Sequence, residues 1–411
     1  MKRGQLETHV LILITLALVA FGLVMVYSAT SAPAAISNAD PNTYLERQGF
    51  YALIGLVLML VFSRIDYRKL RRLAPLLVLA SLTLCAAVLV LGSAVNGARR
   101  WISFGPIVFQ PSELAKLALA VWAAWFLTRR RPPQSLRELA RPFGLLVGLF
   151  CVLLLAEPDL GTAIAIVLML AGMLAVAGTP VRTLLGSGAI VTVLGLAAAW
   201  FEPYRRARIF SFLNPWQDSQ GTGYQTVQAM IGLGSGGIFG VGLGHGVLKN
   251  FYLPEAHTDM IFAVIGEELG LVGSMGLIGA YAAFAYVGLR IALRCRDPFG
   301  KTLAAGLVTL VCAQAAVNLA AVLGLAPLTG IPLPFVSYGG SNLVVALASV
   351  GILLNIGVDR GAERAAGVPD RGRGDRRPRS AVAGGRRGIA RTEREGELRR
   401  VAGSCRGAAR A

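Results

Sequence analysis

The sequence predicts an all-α integral membrane protein: a bundle of ten transmembrane helices with a long outer loop between helices 7 and 8. Three observations carry that reading. Of 411 residues, 55% are hydrophobic and only 15% charged, and the mean hydropathy is +0.62, which is too apolar for a water-soluble domain. A hydrocarbon core of about 30 Å takes roughly 20 mostly apolar residues per helical crossing, and ten runs of that kind follow one another along the chain. None of them alternates apolar with polar as a barrel strand does, and in lipid only helices and closed barrels satisfy their own backbone groups.

Taken in order, the first run covers 10–29 and is followed by the small residues Ala29 to Ala34, which resemble a signal-peptide cleavage site. Its length and the spans behind it predict that it stays as the first helix. The runs 50–64, 73–92, 112–128, 142–156, 160–177 and 183–201 come next. The interval 202–259 then separates them from the last three runs, at 260–289, 301–324 and 341–358. Residues 1–358 thus read as one membrane domain. Residues 359–411, rich in Arg, Gly, Ala and Pro with few large apolar groups, read as a disordered basic tail. Of the five cysteines, Cys85, Cys151 and Cys312 lie in apolar runs and Cys295 and Cys405 in basic segments. Their spacing suggests neither metal binding nor disulfides.

Lys and Arg number 40 against 22 Asp and Glu, a net charge of +18. The cations sit between apolar runs or in the tail, so anionic lipid headgroups are the expected partner and nucleic acid is not. With the N-terminus inside, the inner segments hold 17 cations, from Lys2 and Arg3 through the clusters 64–72, 129–141 and 290–301. The outer segments hold seven: Arg47, Arg99, Arg100, Arg205, Arg206, Arg208 and Lys249. That asymmetry predicts both termini on the cytoplasmic side of the membrane.

Ionisable groups at membrane depth are expensive and mark candidate sites. Once the orientation is fixed, nearly all fall on the outer face: the stretch 96–116, Glu157-Pro158-Asp159, the 202–259 interval and the turn Pro327 to Ser341. Glu113 and Lys116 are three residues apart and can pair on one helical face. Lys116 either pins the helix or presents a cation to an anionic substrate. Asp159 is a helix cap or a site residue. A structureless connection as long as 202–259 is unusual inside a compact bundle. It ends in Glu255-Ala256-His257-Thr258-Asp259, with Asp259 at or next to the cap of the following helix. A cap alone does not explain two acids and a histidine beside Arg205, Arg208 and Lys249. A carboxylate that accepts a proton, near cations that hold a phosphate, suits group transfer. His257 reads as a hydrogen-bonded orienting group. The glycine-rich run 232–246 reads as flexible loop, since no strand precedes it as a nucleotide fingerprint requires. Glu267 and Glu268 read as an internal ion pair or polar lining.

Outside the cytoplasm there is normally no ATP or sugar nucleotide, and no Walker lysine loop, HExxH or nucleophile elbow occurs in the chain. An activated donor must then come from the membrane, and a polyprenyl-diphosphate sugar fits. The segments GLVMVYSA (22–29), NGARRWI (96–102), QPSELAKL (110–117), EPDLGTA (157–163), SFLNPW (211–216), YLPEAHTDMIFAVIGEELGLVG (252–273) and PFVSYGGS (334–341) resemble the SEDS family of shape, elongation, division and sporulation proteins. The likeness runs from about residue 10 to 358, and LPEAHTD with MVYSA is more like the division members than the elongation members.

The resemblance implies a ten-span peptidoglycan glycosyltransferase that polymerises lipid II and works with a class B penicillin-binding protein among other division proteins at the septum. Asp259 matches the family's essential acid; Lys116, Glu113, Asp159, Arg205, Arg208 and Lys249 match its outer cavity; Ser337 joins His257 as a candidate substrate contact. A divalent cation, Mg or Mn, could assist. Asn342 departs from the serine the family commonly has there. A lipid II flippase is the rival reading, against which stand the gathering of charge on one face and the lack of an inverted repeat.

Overall fold

The computed structural model describes residues 3–36, 40, 42–95, 98–105 and 107–358. The chain divides into two units, Met1–Arg360 and Gly361–Ala411; the second, with the expected disordered tail, lies outside the described residues.

Helix follows apolar run almost throughout. α1 spans Arg3–Ile36, through the small-residue stretch after the first run, and α2 spans Asn42–Arg64. α3 (Leu70–Leu91) is entered through a single 3-10 turn, Tyr67–Lys69, capped by the Asp66 side chain. α4 covers Pro111–Arg129, with Pro at its first position, where the missing N–H costs nothing. The next span is kinked. A short α5 (Leu136–Leu139) passes through a wide turn containing Arg141, whose φ of −128° and ψ of 123° are non-helical, into α6 (Leu145–Ala156). α7 (Leu160–Ala177) and α8 (Val181–Phe201) complete the first group. α11 (Ile261–Arg294), α12 (Pro298–Val322) and α13 (Gly340–Gly357) complete the second.

Among the described residues, nine helices are long and apolar enough to cross a membrane. α4 is a further 19-residue helix outside those nine, carrying Glu113 and Lys116 and buried along most of its length. α4, α11, α12 and α13 form the centre of the bundle, with α13 along α2, α12 against α4 and α7, and α1 against α11. α8 stands apart: Leu185, Val193 and Phe201 are exposed, as lipid-facing side chains would be.

Two features depart from the expected architecture. The stretch after α3 forms a three-stranded antiparallel sheet: β1 (Ser93–Val95), β2 (Ala98–Phe104) and β3 (Ile107–Phe109), with Ser103 opposite Val108. The interval 202–259 is not structureless, since it holds α9 (Pro203–Leu213), α10 (Tyr224–Ser235) and a single wide turn at Leu248–Tyr252.

The glycine-rich run is likewise held in place. α11 is broken at Gly270, about 14 Å along the helix from Ile261 at 1.5 Å per residue, where φ is 66° and ψ −159°. The break takes from Leu271 and Val272 their helical acceptors, the carbonyls of Glu267 and Glu268. All four groups are re-paired by the run: Leu271 and Val272 N–H donate to the Gly237 and Ile238 carbonyls (2.9 and 3.1 Å), and Val241 and Gly242 N–H donate to Glu267 and Glu268 (both 3.0 Å). Non-helical backbone survives at membrane depth only with such internal partners. A Cβ on Gly270 would lie 2.4 Å from the Gly240 nitrogen, so both the φ and the close approach require glycine.

Candidate functional site

Between the central helices and the outlying α6 and α8 lies a cavity of about 1630 Å³. Its lower walls are apolar, formed by residues such as Phe143, Val167 and Leu194 of the α5–α6 span, α7 and α8. Its outer end is polar. Arg205 and Arg208 of α9, Glu113 of α4, Asp159 ahead of α7, and Glu255 and Asp259 ahead of α11 all face it.

Asp259 is partly buried. Met260, not Asp259, occupies the cap position of α11, and the Asp259 carboxylate accepts a hydrogen bond from the Thr258 hydroxyl at 3.2 Å. Its backbone carbonyl is gripped by the buried Asn318 amide at 2.7 Å, and the same amide holds the Ile331 carbonyl at 2.8 Å. A polar residue of α12 thus ties the acid to the Pro327–Ser341 segment. Burial pushes the Asp259 carboxyl up from 3.8 to about 6, Glu255 adds to the rise, and Arg208 and Thr258 oppose it. A carboxylate poised there is a competent base at neutral pH.

The cations sort into two groups. Arg208 donates to the Leu328 carbonyl (2.8 Å) and Arg205 to the Leu155 carbonyl (2.5 Å), which holds both guanidinium groups on the cavity wall. Lys116 and Lys249 do not line it. Lys116 is fully buried, 2.7 Å from Glu113, so the pinning ion pair is what forms and Glu113 alone reaches the wall. Lys249 is buried against Glu268 (2.8 Å), with Ser28 bonded to both. Glu267 meanwhile accepts the Val247 and Leu248 N–H groups at 2.8 and 3.1 Å. The paired acids after α11's start are therefore structural, and they draw Lys249 away from the site.

Asp159 has both candidate roles. One oxygen caps α7 through Thr162 N–H (3.1 Å), and the other accepts from Gln110 (3.1 Å) and Ser112 (3.2 Å) at the cavity. Beside it, Glu157 is raised to about 8, first by burial and then by Asp159. Ser337 is buried and turns inward, its hydroxyl accepting from Leu333 N–H at 2.8 Å. His257 lies in a ring cluster, 4.9 Å from Tyr44 and 5.5 Å from Tyr338, and burial lowers its pKa against the opposing pull of Glu255. Neither Ser337 nor His257 lines the cavity. Among the described residues no group of three His, Cys, Asp or Glu side chains is placed to hold a metal ion by itself.

Other lining residues were passed over in the sequence. Arg47 and Arg100 face the cavity, Arg100 donating to the Glu157 carbonyl at 2.9 Å. Both stand among the outer cations already counted for orientation. Asn318 lies inside an apolar run, and a buried amide at that depth is itself a signal.

Residues 8–361 match the profile of the FtsW, RodA and SpoVE group, described as cell cycle proteins. The chain belongs to that family. Among its relatives is the probable peptidoglycan glycosyltransferase FtsW of Geobacter metallireducens, 44% identical over 354 residues, covering 84% of this chain and 93% of the relative. Stage V sporulation protein E of Bacillus subtilis is 38% identical, covering 84% and 95%. The fold is similar to a chain in a peptidoglycan synthase complex that coordinates polymerization and crosslinking, with TM-score 0.72 and 34% identity, covering 85% and 97%. It is also similar to the rod shape determining protein RodA of Thermus thermophilus, with TM-score 0.64 and 34% identity, covering 85% and 96%. The FtsW names carried by relatives at 40 to 44% identity are in line with the division-like LPEAHTD and MVYSA segments.

Proposed function

We propose that this chain, a membrane-embedded peptidoglycan glycosyltransferase, polymerises lipid II at the outer face of the cytoplasmic membrane with Asp259 as its base. The acceptor sugar hydroxyl gives its proton to the Asp259 carboxylate. Its oxygen forms a bond to the donor's anomeric carbon, the bond from that carbon to the diphosphate oxygen breaks, and the electron pair leaves on undecaprenyl diphosphate. Attack opposite the leaving group inverts an α-linked donor into a β-linked strand. Arg205 and Arg208 hold the diphosphate through charge-assisted hydrogen bonds, and the apolar walls of α6, α7 and α8 take the polyprenyl chain.

One observation carries the reading: a carboxyl raised to about 6 stands with two arginines at the polar end of a cavity that is otherwise apolar. Counting α4, we take the bundle as ten spans with both termini cytoplasmic. A crosslinking transpeptidase of the class B penicillin-binding type is the natural partner, with septal synthesis the setting. Purified Asp259→Asn should lose about 10²- to 10⁴-fold of its polymerisation rate on lipid II in detergent while still binding that partner. Near-normal rates in the variant would rule out this role, and a wild type that makes no glycan in detergent would favour a flippase.

A further inference from the structure

The Tyr44, His257 and Tyr338 rings form a closed triangle that glycosyl transfer as proposed leaves unused. Centroids are 4.9 Å apart for Tyr44–His257, 5.3 Å for Tyr44–Tyr338 and 5.5 Å for His257–Tyr338, with interplanar angles of 64°, 76° and 52°. Tyrosines near a bilayer surface usually anchor in the headgroup layer. These rings instead pack on one another, Tyr44 edge to face with both His257 and Tyr338 and the His257–Tyr338 pair tilted. Tyr338 lines the cavity, and so does Arg47, which hydrogen-bonds the Tyr338 side chain. Tyr44, one turn before Arg47 on α2, keeps 37% of its surface exposed.

The cluster is fastened to the base. Tyr338 N–H donates to the His257 carbonyl at 2.9 Å, two residues before Asp259, and Gln48 of α2 donates to the Ser337 carbonyl at 3.1 Å. Its wall is built from α2 and the Ser337–Gly339 end of the Pro327–Ser341 segment, whereas Arg205 and Arg208 come from α9, Arg208 meeting the other end at Leu328. Inversion needs the acceptor to approach the anomeric carbon from the side away from the diphosphate, so acceptor and leaving group require different walls. A pyranose ring has an apolar C–H face that stacks on an aromatic ring and hydroxyls at its edge that suit a guanidinium.

We propose that Tyr44, Tyr338 and Arg47 form a saccharide subsite that holds the acceptor's N-acetylhexosamine rings. Its assignment to the acceptor rests on the glycosyl transfer proposed above. The test uses the full chain in detergent with the soluble tetrasaccharide chitotetraose, which has neither lipid nor diphosphate, followed by saturation-transfer NMR. Wild type should bind it at millimolar concentration with saturation on the sugar C–H protons. Tyr44→Ala and Tyr338→Ala should each weaken binding about tenfold, while Tyr44→Phe and Tyr338→Phe keep it, since the ring and not the hydroxyl does the stacking. With lipid II as substrate, kcat/KM of Tyr44→Ala should fall about as much, through KM. Tyr44 is the third residue of α2 and exposed, so its truncation leaves the fold intact even where Tyr338→Ala does not fold. No saturation with wild type, or alanine variants that bind as wild type does, overturns the subsite. Asp259→Asn should bind the tetrasaccharide normally; if it also polymerised at full rate, the base would be wrong and the subsite would stand.

Discussion

The Asp259 environment makes a prediction in which two substitutions move one titration in opposite directions. The carboxyl lies at about 6 because burial, then Glu255, raise it, and Arg208 and Thr258 lower it. A base acts only when ionised, so kcat/KM, which reports the free enzyme, should rise about tenfold per pH unit below about 6 and level off above. Glu255→Gln removes a negative neighbour, ionisation becomes easier, and the limb should shift to lower pH. Arg208→Ala removes a positive neighbour and should shift it to higher pH, whatever it does to substrate affinity. The same displacement has a stability consequence. Moving from 3.8 to about 6 penalises the ionised form in the folded protein by up to roughly 3 kcal/mol. Because the folded value is raised, the protonated side chain favours folding below about pH 4, and that advantage is lost as pH climbs through 6. Asp259→Asn should therefore melt higher than wild type at pH 7 to 8 and equal it near pH 4. Initial polymerisation rates on lipid II between about pH 5 and 8 supply the kinetic arm, and detergent-solubilised thermal melts supply the other. Limbs that stay put, or that move the same way in both variants, would show that Asp259 does not set the profile.

Three further outcomes follow from particular contacts. Glu113→Ala leaves the Lys116 ammonium buried without its counter-ion, at a cost of about 3–5 kcal/mol, seen as a lower melting temperature or loss of monodisperse protein. Glu113→Leu with Lys116→Met should regain most of that stability. Gly270→Ala forces a side chain onto a φ of 66° and against the Gly240 nitrogen, so it should lose about 2–3 kcal/mol and speed amide exchange at Leu271 and Val272. Asn318→Leu deletes both bonds that tie the Asp259 and Ile331 carbonyls, costing about 1–3 kcal/mol. It should lower kcat more than it changes KM, and equal effects on both would argue against a positioning role.

What the sequence told by itself was set by solvent. Lipid allows few backbone structures, so apolar run lengths alone located every long helix, with 160–177 matched to the residue. Charge asymmetry and helix-end chemistry then gathered Asp259, Arg205, Arg208, Glu113 and Asp159 toward one face. The same logic misread segments whose order comes from distant partners. Small glycines in 232–246 looked mobile, yet they are fixed by four backbone groups that a break in α11 exposes, and a helix break cannot be read from periodicity. Lys249 looked available because its counter-ion, Glu268, is 19 residues away, and Lys116 looked divided between two roles until burial left its ammonium only Glu113. The sheet at 93–109 was hidden because its strands are three to seven residues long.

Residue type and hydropathy therefore decided the solvent and the helices and pointed to the gathering of ionisable groups at one end of the bundle, each a property of short stretches of chain. Which cations stay at the cavity, which are consumed in ion pairs, and how far the Asp259 carboxyl is displaced were decided by the tertiary structure. Burial and Coulomb interactions depend on distances between groups that the chain brings together only on folding.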